Sequence, residues 1–271
     1  MSNNHNIFVG REKETRRLRE SILTRQSLMI AGDNDTGKTA LILKVIGELP
    51  LSTRQRCLYI GGFKDLRDLL HRLVAALFEK SDARLKSEFR AGGITKTNLS
   101  ARLKQFSSSR LRGTLYHAVQ GKGYRVFLDH CPVLTPSVAR VVKEMFWMRQ
   151  TPVYLLPSTE VETEIAKACS FFYWGKQQIL RVGPLPSAAA RTLVDHCIRE
   201  CGLEGQELAG FRREVLELSR SAPGAIVAMC RIAAHPRYQS KGRIKTRLIH
   251  IDYMMRGSAP APTSSGTGWH G

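Results

Sequence analysis

The sequence lacks three features that would each indicate a particular class of protein. No apolar run approaches the roughly 18 residues that a membrane-spanning helix needs, and the opening MSNNHNIFVGRE has no apolar core of a secretion signal. The six cysteines show no C-x-x-C spacing, so neither a zinc finger nor a disulfide framework is indicated. We therefore expect a cytoplasmic protein with no membrane partner.

Acidic residues are also scarce, and this shortage bears on the partners of the protein. The 271 residues include 23 Asp and Glu against 42 Lys and Arg, a formal net charge of +19. Residues 80–112 hold nine basic residues against Asp82 and Glu88, and residues 231–256 hold seven against Asp252. These two basic clusters predict sequence-independent binding of nucleic acid through its phosphates. A generally basic, solvated surface is the alternative.

Five short apolar runs alternate with longer stretches of helical period. The runs cover residues 27–31, 57–61, 125–129, 152–156 and 178–182. This alternation predicts a parallel sheet flanked by helices, within a nucleotide-binding domain of residues 1–184. Helical patterns continue alone over residues 185–256, which predicts a small all-helical domain. Residues 257–271 are mostly Gly, Ser, Thr, Pro and Ala, a composition that predicts a disordered tail.

The most specific motif follows the first apolar run and leads into a helical pattern from Ala40. It matches G-x-x-x-x-G-K-[ST] with Gly32-Asp33-Asn34-Asp35-Thr36-Gly37-Lys38-Thr39. In such a loop the glycines let backbone N–H groups surround phosphate oxygens, while Lys38 reaches the outer phosphates and Thr39 offers its hydroxyl to magnesium. Residues 32–40 are therefore predicted to bind ATP or ADP with Mg2+. We expect the carboxylates of Asp33 and Asp35 to point outward.

A second part of the site is predicted where the third apolar run ends. There Tyr-Arg-Val-Phe-Leu leads to Asp129, whose carboxylate would hold magnesium through its water shell. A turn-capping aspartate is the alternative. His130 follows, where many ATPases of this design have a glutamate that orients the attacking water. We therefore expect slow ATP hydrolysis, with Lys38, Asp129 and His130 in the catalytic set.

The order of these motifs resembles that of AAA+ ATPases of the origin-recognition type and of the related signalling ATPases called STAND proteins. Phe8-Val9-Gly10-Arg11-Glu12, followed by Glu14 and Leu18, is similar to the h-h-G-R-x-x-E-x-x-x-L segment that precedes their P-loop. The resemblance covers residues 7–235. It implies an α/β, AAA+-like P-loop NTPase with a five-stranded parallel sheet and a small helical lid.

The resemblance also implies a sensor for the γ-phosphate and an arginine finger. The segment from Val153 to Thr159 is similar to the strand that carries the polar sensor, so Ser158, or else Thr159, is the candidate. Arg149 and Arg181 are candidates for an arginine finger that acts across a subunit interface.

The adenine contacts implied by the resemblance lie at both ends of the similar region. The segment Ser221-Ala222-Pro223-Gly224-Ala225-Ile226 is similar to the G-x-P-x-x-I segment by which the lid of such proteins approaches the base. By this resemblance Val9, Gly10 and Pro223 would border the adenine.

These features favour an ATPase that acts as a nucleotide-dependent switch on DNA, in replication, transposition or a related transaction. Such a switch would assemble with itself or with partners. A STAND-like regulatory interaction protein, with ATP bound and little or no hydrolysis, is the second hypothesis. A small-molecule kinase is disfavoured, because no acceptor carboxylate stands beside the P-loop and the second domain would have no role.

Overall fold

The computed structural model describes residues 7–80, 83–148, 151–173, 178–203, 207–240 and 242–257. They form two compact units: the core unit is Arg11–Gly183, and the lid unit joins the residues up to Gly10 to those from Pro184 onward. The predicted nucleotide-binding domain, residues 1–184, differs from the core unit in its first ten residues and in Pro184. The predicted tail, residues 257–271, lies outside the described residues except for Gly257.

The core unit is built on a parallel sheet. Its strands are β1 Leu28–Ala31, β2 Cys57–Ile60, β3 Arg125–Cys131, β4 Val153–Pro157 and β5 Ile179–Arg181. They lie in the order β2-β3-β4-β1-β5, and each neighbouring pair is parallel. The predicted five-stranded parallel sheet is confirmed, and every strand ends within two residues of the predicted run.

Helices surround this sheet. They are α1 Glu12–Leu23, α2 Lys38–Glu48, α3 Leu51–Arg54, α4 Leu66–Lys80, α5 Ala83–Ala91, α6 Leu99–Gln105, α7 Ser108–Val119, α8 Pro136–Trp147 and α9 Glu162–Ala168. The longer ones bury an apolar stripe of helical spacing, as α4 does with Leu69, Leu73 and Leu77. Nowhere in the described residues is a helix both long and apolar enough to cross a bilayer.

The position of β4 in the sheet determines what meets at its edge. This strand lies between β1 and β3 and is hydrogen-bonded to both. Because parallel strands all end at the same edge, the chain leaves β1, β4 and β3 side by side there. The P-loop follows β1, Ser158 and Thr159 follow β4, and Asp129 lies near the end of β3. The sheet thus brings three predicted parts of the site to one edge.

The lid unit has its own apolar core, formed by helices around residues such as Leu193, Phe211 and Met229. Its elements are α10 Ser187–Glu200, α11 Leu208–Leu218, α12 Pro223–Ala233, β6 Gln239–Ser240, β7 Arg243–Ile244 and α13 Thr246–Gly257. Strands β6 and β7 form a small antiparallel hairpin. The prediction of an all-helical domain missed this hairpin, because strands of two residues are too short to leave a pattern of alternation in the sequence.

Candidate nucleotide-binding site

The P-loop has a backbone that requires glycine at both ends. Gly32 has φ +151°, and a Cβ at this position would collide with the carbonyl oxygen of Val182. Gly37 has φ +86° in the left-handed region and immediately precedes α2, which begins at Lys38. Residues 33–35 are exposed, which keeps the two carboxylates of the loop in solvent. The loop therefore opens directly onto the N-terminus of a helix, where backbone N–H groups attract anions.

Arg11 connects the P-loop to other parts of the core unit through its guanidinium. Its guanidinium is 5% exposed and donates a hydrogen bond of 3.0 Å to the carbonyl oxygen of Thr36. It also donates to the carbonyl oxygen of Gly183 and forms an ion pair of 2.9 Å with Glu14. One buried cation therefore ties both ends of the core unit to the loop, a role that the motif containing Arg11 did not reveal.

Lys38 lies inside the loop that precedes it. Its Nζ donates to the carbonyl oxygens of Gly32, at 2.5 Å, and Asp33, at 2.9 Å. Burial lowers the pKa of Lys38, against the opposing effect of nearby carboxylates, of which Asp129 is the strongest and Glu162 the next. The ammonium is thus partly desolvated and hydrogen-bonded to neutral carbonyl oxygens. The negatively charged oxygens of an anionic ligand could replace these acceptors.

Thr39 and Asp129, which the sequence predicts to share a magnesium ion, contact each other directly. The Thr39 hydroxyl donates to Asp129 Oδ2 at 2.7 Å. The phenol of Tyr59 on β2 donates to the same oxygen at 2.6 Å, and the backbone N–H of His130 donates to Oδ1 at 2.8 Å. Asp129 is 2% exposed, so these three donors replace the water that the carboxylate loses on burial.

The chain is irregular immediately after Asp129. The pairing of β3 with β4 shifts register between Leu128 and Cys131, and His130 has a left-handed backbone with φ +48°. Bulges of this kind often lie beside functional sites, where they re-aim side chains. The imidazole is 66% exposed, and its Nε2 lies 3.9 Å from Asp129 Oδ2. The imidazole of His130 therefore lies beside Asp129 and faces solvent.

The two sensor candidates after β4 differ in their surroundings. Thr159 Oγ1 donates to the carbonyl oxygen of Gly32 at 3.5 Å and to Asn34 Oδ1 at 3.4 Å. Ser158 precedes the short 3-10 turn that starts at Thr159 and does not cap it with its side chain. The hydroxyl that reaches the P-loop is thus that of Thr159, the second of the two sensor candidates. The sensor role of Ser158 stays a prediction.

The remaining predicted residues lie elsewhere. Arg181 is 71% exposed and forms an ion pair of 3.3 Å with Glu162, while Arg149 lies outside the described residues. Neither observation tests the predicted arginine finger. Val9, Gly10 and Pro223 all belong to the lid unit; a Cβ at Gly10 would collide with Ala189, so the chain packs closely there. Their contact with adenine stays a prediction.

Tyr59 is the site residue that sequence reasoning missed. Its strand was predicted correctly, but the sequence does not give the order of strands in the sheet. Once β2 is known to pair with β3, Tyr59 is opposite Phe127, two residues before Asp129. A phenol in an otherwise apolar strand, pointing to the side of a strand-ending aspartate, is the signal that could have identified it.

The donor set of this site suits magnesium. Mg2+ prefers oxygen ligands in octahedral geometry and usually keeps several waters, with one or two protein ligands and substrate phosphates. Thr39 and Asp129 offer a hydroxyl and a carboxylate at hydrogen-bond distance from each other, and Lys38 begins the same helix as Thr39. These residues therefore fit Mg2+ bound together with a phosphate group.

The first basic cluster, residues 80–112, lies in the core unit on α4 to α7. Among its members whose side chains the structure describes, six are exposed: Lys80, Arg90, Lys96, Arg102, Lys104 and Arg110. Lys80 differs from the other five, because its Nζ donates to the carbonyl oxygen of Cys57 at 2.7 Å. Exposed cations on α5, α6 and α7 and on the turn between α5 and α6 suit the binding of a polyanion.

The second basic cluster, residues 231–256, lies in the lid unit and is partly neutralised. Arg237 pairs with Asp252, and Arg243 pairs with Glu207 at 3.0 Å. Tyr238, a possible base-stacking residue by sequence, is 4% exposed and donates to Asp252. Of the two roles that the sequence leaves open for Tyr238, base stacking and packing, the structure shows packing.

Two solved structures have the same fold as this chain. A Walker-type ATPase of Pyrococcus abyssi has a TM-score of 0.60 at 17% sequence identity, over 94% of this chain and 77% of that one. A STAND protein with a tetratricopeptide repeat sensor, from Pyrococcus horikoshii, has a TM-score of 0.51 at 14% identity, over 93% of this chain and 33% of that one. The chain therefore spans about a third of the STAND protein.

No model of a protein family matches the sequence, and a search of curated proteins found no match. At these identities the likeness concerns the fold. This likeness of fold agrees with three features of the chain: the P-loop after β1, the parallel sheet, and Asp129 near the end of β3. The chain has the α/β P-loop NTPase fold, in the form found in Walker-type and STAND-related ATPases.

Proposed function

We propose that the chain binds ATP with Mg2+ and acts as a nucleotide-dependent switch. The observation that carries this proposal is the meeting of Lys38 and Thr39, the first two residues of α2, with Asp129 at one edge of the sheet. Lys38 would exchange the carbonyl oxygens of Gly32 and Asp33 for phosphate oxygens. Mg2+ would be held by Thr39 and, through water, by Asp129, and it neutralises phosphate charge when bound.

Hydrolysis at this site is proposed to be slow. His130 stands where a glutamate would orient the attacking water, and its imidazole is 66% exposed. A base this exposed does not fix the position of a water molecule as a buried carboxylate does. Slow turnover leaves the ATP-bound form long-lived, which suits a switch. The adenine contacts at Val9, Gly10 and Pro223 and the sensor role of Ser158 or Thr159 belong to this proposal.

The proposed partner is DNA, bound without sequence preference, with assembly into an oligomer or with a partner protein. Support comes from the net charge of +19 and from the exposed cations of the first basic cluster. The second basic cluster contributes less, since Arg237 and Arg243 are paired with acids. Replication and transposition are the transactions that we propose for such a switch.

The first experiment measures ATP binding and turnover by the purified chain, with and without double-stranded DNA. Lys38→Ala is expected to weaken ATP binding by about 100-fold, because losing one partner of a charged contact costs on the order of 2–5 kcal/mol. Lys44→Ala is the matched control: it lies on the same helix and pairs with Glu48 at the surface. Equal ATP binding by both variants would refute the proposed site.

The DNA surface has its own test. Lys96→Glu combined with Arg102→Glu reverses two exposed charges of the first basic cluster, and Lys13→Glu combined with Arg16→Glu makes the same change of net charge on α1. Binding of a fluorescent duplex is measured over a range of salt concentrations. We expect the first pair to reduce the slope of log K against log salt by about 2 and the α1 pair to change it little. Equal slopes for the two variant pairs would mean that DNA responds only to the overall charge of the protein, and that the first basic cluster is not the DNA surface.

The regulatory interaction protein remains a second candidate, and His130 is the observation that favours it. If ATP binds tightly without turnover and DNA changes neither quantity, ATP has a regulatory role and the basic surface meets an acidic protein. His130→Glu places a carboxylate after Asp129 and separates the two cases. A gain in turnover supports a complete but slow catalytic site, and no gain supports the regulatory role.

A further inference from the structure

The phenol of Tyr59 lies beside the magnesium site because of the register between β2 and β3. Tyr59 pairs with Phe127 across these parallel strands, so both side chains point to the same face of the sheet. Asp129 is two residues after Phe127 and therefore points to that face as well. The phenol extends along the sheet toward its edge and donates to Asp129 Oδ2 at 2.6 Å.

The hydrogen bonds of Asp129 divide between its two oxygens. Oδ2 accepts from two hydroxyls, those of Tyr59 and Thr39, and Oδ1 accepts from the backbone of His130. The phenol of Tyr59 has one hydrogen, and it is directed to Oδ2.

The orientation of the Thr39 hydroxyl depends on this arrangement. A hydroxyl has one hydrogen to donate and two lone pairs to offer. While the Thr39 hydrogen points to Asp129 Oδ2, its lone pairs face away from Asp129 and are available to a cation. If the carboxylate turned, the hydroxyl would turn with it, and its hydrogen would face the cation instead. Tyr59 opposes that rotation by fixing the oxygen on which Thr39 depends.

We propose that Tyr59 is a positioning residue for Mg2+, which keeps Asp129 Oδ2 oriented so that the Thr39 hydroxyl presents its lone pairs to the metal. This inference rests on the proposed binding of ATP with Mg2+ at the P-loop. Tyr59 itself does not touch the metal or the nucleotide. Its effect is on the affinity for Mg2+ and leaves the metal-independent part of ATP binding unchanged.

The test is a titration of Mg2+ at a fixed concentration of a fluorescent ATP analogue, with the analogue also bound in the presence of a chelator. Tyr59→Phe removes one hydroxyl and keeps the ring. We expect its Mg2+ midpoint to rise about tenfold, as for other outer-shell partners of metal ligands, while binding without metal changes less than about twofold. The matched control is Tyr116→Phe, which removes a phenol that also donates to a carboxylate, that of Glu144 on α8.

A double-mutant cycle shows whether Tyr59 acts through Asp129. In the Asp129→Asn background, Tyr59→Phe is expected to add no further change to the Mg2+ midpoint, because the carboxylate that it orients is gone. An additional tenfold loss there, or an equal loss of metal-free binding in the single variant, would overturn the inference. So would equal Mg2+ midpoints of wild type and Tyr59→Phe.

Failure of the proposed function is recognised separately. If the wild type does not bind the analogue, or binds it no better than Lys38→Ala does, the P-loop assignment fails and the inference fails with it. If the wild type binds and Lys38→Ala does not, the Mg2+ midpoints alone decide the role of Tyr59.

Discussion

Replacing Arg11 by Ala tests whether a single buried cation holds the P-loop to the rest of the core unit. The guanidinium donates to two backbone carbonyls, those of Thr36 and Gly183, and pairs with Glu14. A hydrogen bond to a charged group contributes about 1.5–3 kcal/mol, and breaking a buried pair by removing one partner costs about 3–5 kcal/mol. These terms describe the same group and overlap, so we expect Arg11→Ala to lower the free energy of unfolding by about 3–4 kcal/mol.

The assay is urea unfolding followed by circular dichroism, together with ATP binding. Arg16→Ala is the control, since Arg16 is an exposed residue of the same helix and should change stability by less than about 0.5 kcal/mol. Arg11→Lys keeps the charge but lacks the planar fork that reaches two carbonyls, so we expect an intermediate value. If Arg11→Ala and Arg16→Ala unfold at the same urea concentration, the anchoring argument is refuted.

Two further predictions concern the P-loop. Gly32→Ala is expected to cost more than about 3 kcal/mol and to abolish ATP binding, because its Cβ meets the carbonyl oxygen of Val182. Gly113→Ala, within α7 and with open space around it, should instead raise the free energy of unfolding by about 0.5–1 kcal/mol. Urea unfolding of the two variants compares these effects, and equal changes in stability would contradict the steric argument. Burial lowers the pKa of Lys38 below 10.5, so the unfolded state binds more protons just below that pH and the free energy of unfolding rises with pH there. Lys38→Met should lack that part of the rise, and superimposable pH profiles would contradict it.

The sequence was sufficient to predict the strands and to single out the P-loop and Asp129 as candidates, for a local reason. Apolar runs of five residues, the glycine-lysine loop and an aspartate at the end of a run are each encoded in neighbouring residues. The convergence of Thr39 and Asp129 followed from the prediction of a parallel sheet, since its strands end at one edge.

The residues that sequence reasoning missed are those whose roles depend on long-range contacts. Tyr59 reaches Asp129 because β2 pairs with β3. Arg11 is 172 positions from Gly183, to which it donates. No periodicity or motif spacing encodes such pairs, so a partner for each could be assigned only from the folded chain.

The placement of β4 between β1 and β3 has a consequence for the dynamics of the site. Every residue of β1 and β4 is buried, and β4 is bonded on both sides, so the P-loop and Asp129 stand on the backbone that should exchange its amide hydrogens most slowly. The distance between the P-loop and Asp129 cannot change without breaking the hydrogen bonds of β4 to both β1 and β3. Within the core unit we therefore expect motion linked to nucleotide in the exposed residues 33–35 and in the segment after β4, while the sheet itself stays fixed.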